Sequence, residues 1–146
     1  QQTLPLPEKP YILDAGCGTG VLGIFALLRG AKEVFAYDND PWSVENATEN
    51  FALNTDYQTK IELGEAELLH SRKCDIFLAN IHKNIIVKEI PDYAKTLEKD
   101  GLLFLSGFYE KDLTDIKKTC SENGLLFEKH KEKDGWIAAK FVKEGL

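Results

Sequence analysis

Methionine is absent from the 146-residue sequence and cysteine occurs only three times. An odd, small cysteine count argues against a closed disulfide framework and for a reducing, cytoplasmic compartment. No apolar run approaches the roughly 20 residues that span a bilayer; the longest, around 21–28 and 101–107, end in charge or glycine. No secretory leader is expected, since positions 1–10 carry three prolines and a charged pair and no apolar segment. Positive charge is outnumbered, 18 Lys and Arg against 24 Asp and Glu, for a net −6. That balance argues against a surface that neutralises phosphates, hence against direct nucleic-acid binding, and suits a basic protein partner. With no initiating methionine and no periodicity over 1–10, that stretch reads as a linker from a preceding region of a longer protein, and 11–146 as one domain.

What is present alternates between strands and helices. Residues 11–15, 33–37, 60–63, 75–80 and 101–106 read as strands, the fourth and fifth apolar enough to be buried on both faces. Residues 21–29 read as a helix ended by Gly30, and Asp40-Pro41 as the start of another that runs to about Asn54. Positions 83–97 are helical in character but contain Pro91, which predicts a kink or a split. A last helix is expected over 112–123, capped by Gly124. The closing runs, 125–129 and 136–142, have no helix between them and should pair as an antiparallel hairpin turning at Asp134-Gly135. The pattern is that of a doubly wound, mostly parallel α/β sheet covered on both faces, with ligands at the carboxyl ends of its central strands.

Those ends carry the unusual residues. Asp14-Ala15-Gly16-Cys17-Gly18-Thr19-Gly20 is a strand ending in an acid, followed by alternate glycines that leave room for a ligand against the backbone. Gly18, Gly20 and Gly23 also satisfy the dinucleotide fingerprint, with Asp38 near its acidic position. Asp14 discriminates between the two: it would repel a pyrophosphate and welcome a cationic amino group, which favours a nucleoside ligand without phosphates. Asp38 suits the hydroxyls of a ribose, whereas Asp40 suits helix capping. Glu65 can accept from an exocyclic adenine amine or be an ordinary polar turn, and Asn80 can accept from a reacting amine or cap a helix. His82 lacks a companion carboxylate and is not assigned as a base; His70 and His130 lie in surface segments. Cys17, Cys74 and Cys120 lack metal-ligand spacing, so no metal is expected. Trp42 and Trp136 read as packing residues, Trp42 also as a neighbour of the adenine.

Together these motifs resemble the Rossmann-like S-adenosylmethionine-dependent methyltransferases, from about Tyr11 to Val142. The resemblance implies a three-layer, seven-stranded sheet with a reversed last strand. Gly16, Gly18 and Gly20 would form the methionine-side loop with Asp14 near the amino group, Asp38 would hold the ribose, and Glu65 would sit by the adenine amine. More narrowly, 14–22, Tyr37-Asp38-Asn39-Asp40-Pro41, Leu78-Ala79-Asn80-Ile81 and Leu105-Ser106-Gly107 resemble the methyltransferases of ribosomal protein L11. Members of that family methylate amino groups of a basic ribosomal protein, on lysine side chains and at the N-terminus. Asn80 and the Ile81 carbonyl would then orient the amine. The family's small N-terminal substrate-recognition domain and its threonine-rich lid segment have no counterpart in these residues. An NAD(P)-dependent oxidoreductase and a noncatalytic Rossmann-like module remain as alternatives.

Overall fold

The computed structural model describes residues 11–16, 33–54 and 60–145. The linker expected over 1–10, the helix over 21–29, and Cys17, Gly18 and Gly20 lie outside the described residues. Strands β1 (Tyr11–Ala15), β2 (Glu33–Asp38), β3 (Lys60–Leu63), β4 (Cys74–Asn80), β5 (Leu97–Tyr109), β6 (Leu125–Lys133) and β7 (Trp136–Lys143) form one sheet in the order β3-β2-β1-β4-β5-β7-β6. The first five pair in parallel, and β7 runs antiparallel to both β5 and β6. The expected doubly wound topology, reversed hairpin included, is therefore present.

Side-chain alternation divides the sheet into two apolar faces. Ile12, Val34, Ala36, Ile76 and Leu102 face helix α1 (Pro41–Asn54), which contributes Ala47 and Phe51. Leu13, Ala15, Phe35, Tyr37, Phe77 and Leu103 face α2 (Lys83–Thr96) and α3 (Leu113–Glu122). This second face holds the larger cluster, where Phe77 and Tyr93 approach to 4.3 Å between ring centroids.

Three expectations are corrected. Pro91 does not split its segment: α2 is continuous from Lys83 to Thr96. The missing N–H is tolerated because Ile86, Ile90, Tyr93 and Ala94 bury themselves on either side of the proline, and tertiary packing rather than propensity holds such a helix. Strand β5 begins at Leu97, not 101, and continues past 106 through a register irregularity to Tyr109. The final helix is preceded by a 3-10 turn, Glu110–Asp112, so that its α portion starts at Leu113. The hairpin turn lies where expected, with Asp134 and Gly135 both at positive φ.

Candidate functional site

In a sheet of this order the chain winds outward from β1 in one direction and from β4 in the other, which opens a crevice beyond their carboxyl ends. A cleft of about 1100 Å³ occupies that position. Gly16, Asp38, Glu65, Asn80 and Ile81, from the ends of four different strands, all line it. Of the eight residues expected at the site, six lie among those described, and five of these share this one cleft; the sixth, Asp14, does not line it.

Each is held by the backbone around it. Gly16 follows β1 at φ +66°, and its N–H donates to the Tyr37 carbonyl at 2.8 Å, which ties the β1 loop to β2. Asp38 ends β2 half-buried; its Oδ1 accepts the Asp40 N–H at 3.0 Å and its carbonyl accepts the Gly64 N–H at 2.9 Å. Asp40 takes the capping role: its Oδ1 accepts the Trp42 N–H and its Oδ2 the Ser43 hydroxyl. Glu65 precedes the 3-10 turn Ala66–Leu69 and makes no side-chain capping bond there, so its exposed carboxylate stands over the cleft.

Asn80 is exposed at the end of β4. Helix α2 starts at Lys83 behind His82, so neither Asn80 nor Asn84 caps it. Among the described residues no hydrogen bond engages the Asn80 side-chain amide. The Ile81 N–H donates to the Ser106 carbonyl at 3.1 Å, which extends the β4–β5 pairing one residue beyond the strand. Asp14 is 2% exposed, within β1 on the sheet face that α1 covers.

Several lining residues were not singled out from the sequence. Glu89 on α2 is 7% exposed, lines the cleft, and accepts the Tyr93 hydroxyl at 2.8 Å. Burial holds its carboxyl above the usual range, partly offset by that hydrogen bond. Tyr37, also lining, has its hydroxyl pushed far up by burial and then by Glu89 and Asp92. The signal for Glu89 was its place among Ile86, Ile90 and Tyr93, a carboxylate on the apolar stripe of a helix. Trp136 overturns its expected packing role: it is 47% exposed, lines the cleft, and stacks on Tyr109 at 4.2 Å. Trp42 is 73% exposed and is not among the described lining residues, so it neither packs in the core nor borders the cleft. Among the described residues no group of three or more His, Cys, Asp or Glu is arranged to hold a metal ion, and no helix is long and apolar enough to cross a membrane.

The architecture and sequence have clear relatives. The family model described as ribosomal protein L11 methyltransferase (PrmA) matches residues 2–144. The ribosomal protein L11 methyltransferase of Phocaeicola vulgatus is 42% identical over 132 residues, which cover 90% of this chain and 47% of the relative. That of Thermosipho melanesiensis is 36% identical over 134 residues, 87% of this chain and 46% of the relative. The chain thus spans about half the length of the curated relatives it matches. A crystal structure of ribosomal protein L11 methylase from Lactobacillus delbrueckii subsp. bulgaricus superposes with a TM-score of 0.88 at 29% identity, covering 94% of this chain and 71% of that one. With its seven-stranded sheet, its cleft at the strand ends and a family match across nearly all its length, the chain belongs to the ribosomal protein L11 methyltransferase family.

Proposed function

We propose that this chain binds S-adenosylmethionine and transfers its methyl group to amino groups of a protein, lysine side chains or an N-terminus, with ribosomal protein L11 as the acceptor. The observation that carries the reading is the position of Asn80. It ends a central strand, opens into the cleft shared by Gly16, Asp38 and Glu65, and is not consumed as a helix cap.

The donor set fits the cofactor. Asp38 and Glu65 put acceptors at one end of the cleft, suited to ribose hydroxyls and an adenine amine. The positive-φ backbone of Gly16 has no side chain to intrude. In this reading Gly16, Gly18 and Gly20 cradle the methionine side and Asp14 serves its amino group. S-adenosylmethionine supplies a methyl already activated on a sulfonium and departs as a neutral thioether.

The chain's own work is alignment and desolvation. A lysine amine has an ordinary pKa near about 10.4 and must lose its proton before it attacks. Ile81, Ile85 and Ile137 line the cleft and disfavour the charged form of an amine that enters. The side-chain oxygen of Asn80 accepts from a remaining N–H without carrying a charge, as does the Ile81 carbonyl, and this aims the nitrogen lone pair. After transfer the nitrogen is cationic and releases a proton to solvent, which restores a neutral amine. No dedicated base is needed, and His82 is given none of this work. A ribosomal protein acceptor sets the reaction in the cytoplasm.

The test is incubation with methyl-labelled S-adenosylmethionine and L11. Label recovered in methylated lysine or the N-terminal amine supports the proposal, and label in RNA or on carboxylates alone overturns it.

A further inference from the structure

The register of β5 slips between Ser106 and Phe108, and the residue at the slip is Gly107, at φ +95°. A β-carbon at position 107 would fall 2.7 Å from Asn80 Oδ1, 3.0 Å from the Ile81 carbonyl oxygen and 3.1 Å from the Ile81 nitrogen. Only the approach to Asn80 Oδ1 is closer than real β-carbons come; those to the Ile81 backbone are tighter than nearly all real contacts, on a peptide that the Ile81–Ser106 hydrogen bond holds in place. On the other side Gly16 does the same: a β-carbon there would fall 2.8 Å from Ile81 Cγ1. The Asn80-Ile81 dipeptide therefore passes between two positive-φ glycines, one after β1 and one in β5.

From this geometry we infer that Gly107 is a positioning residue, which sets the Asn80 amide and the Ile81 carbonyl by leaving its own side-chain position empty. The inference rests on the proposed role of Asn80 and deepens it. The slip lies in the pairing of β5 with β7, and β5 stays in register with β4 up to Asn80 and Ser106; the space beside Asn80 comes from the missing side chain of the next residue, Gly107. Any residue at 107 with a β-carbon pushes the Asn80 amide off its present place and strains the Ile81 peptide. An acceptor amine aligned by those two oxygens loses its aim, and a misplacement of about 1 Å can cost on the order of a hundredfold in rate. Ligand contacts at Asp38 and Glu65, on other strands, are untouched.

Gly124 supplies the control. It sits at φ +75° with nothing within 4 Å of where its β-carbon would be. Gly124→Ala thus imposes comparable backbone strain without a collision, on a residue outside the site.

The experiment compares Gly107→Ala, Gly124→Ala, Asn80→Ala and the Gly107→Ala/Asn80→Ala double variant. It reads kcat, S-adenosylhomocysteine affinity, and the NMR signal of the Asn80 side-chain amide. We expect Gly107→Ala to shift that amide signal and lower kcat on the order of a hundredfold, with ligand affinity within about twofold of wild type. Gly124→Ala should do neither. The double variant should be no slower than Asn80→Ala alone, because both changes remove the same alignment. An unmoved Asn80 signal in folded Gly107→Ala, or rate losses that multiply in the double variant, would overturn the inference. If the amide signal moves while Asn80→Ala keeps full turnover, the placement by Gly107 stands and the role given to Asn80 falls.

Discussion

Asp38 Oδ1 accepts the backbone N–H of Asp40 at 3.0 Å, so the two neighbouring acids are coupled but do different work. Asp40 turns inward to the first turn of α1, bonding the Trp42 N–H and the Ser43 hydroxyl, while Asp38 faces the cleft.

Asp40→Ala should therefore lower unfolding stability by about 1 kcal/mol, the usual loss for a helix N-cap, and leave affinity for S-adenosylhomocysteine unchanged. Urea titration and calorimetry on the same variant check both halves. A loss of affinity without a loss of stability would reverse the assignment.

Asn80→Ala should reduce kcat by two orders of magnitude or so while S-adenosylhomocysteine affinity stays within a few-fold, since its role lies in alignment rather than in holding the ligand. Equal losses in both would remove Asn80 from the reaction.

Glu89 makes stability depend on pH. Burial raises its folded pKa above the ordinary value of 4.5, so the folded state binds the proton more tightly than the unfolded one. That contribution is full below the ordinary value and is lost as pH rises through the folded pKa. Glu89→Gln keeps an acceptor for the Tyr93 hydroxyl and removes the charge. The variant should gain on wild type as pH climbs from about 4 to about 8, measured by urea unfolding at each pH. A difference that stays flat across that window would contradict the assignment.

The Lys140 ammonium lies 2.7 Å from the Glu128 carboxylate, with side-chain exposures of 4% and 13%. Breaking a pair this buried leaves one charge stranded, so Glu128→Gln should cost about 3–5 kcal/mol. Replacing both residues with apolar ones of similar size should restore most of it, and additive losses in the double variant would contradict the buried-pair account.

Much of this was legible in the sequence because local signals agreed with the global fold. Asp40-Pro41 marked the start of α1, Asp134-Gly135 the hairpin turn, and the apolar run 76–79 a strand covered on both faces. Asn80 stood out as the first polar residue after that run. Other features depend on what lies across the fold. Pro91 read as a kink or a split, and the split fails because its rescue comes from packing on the sheet, not from neighbours in sequence. Gly107 stood in the sequence only as part of Leu105-Ser106-Gly107, without a role of its own, and the approach of Asn80 and Ile81 gives it one. Trp136 is exposed because it opens β7 beside Tyr109 at the cleft rim, a cross-strand relation with no local signature.

The most direct test of the central claim is a thermal shift of the chain with S-adenosylhomocysteine and, separately, with NADH, for wild type and Asp38→Ala. Ligand at about a hundred times its dissociation constant stabilises a folded protein by roughly 2.7 kcal/mol. The account predicts that shift with S-adenosylhomocysteine, none with NADH, and its loss in Asp38→Ala. Stabilisation by NADH alone would contradict it and return the glycine loop to the dinucleotide reading.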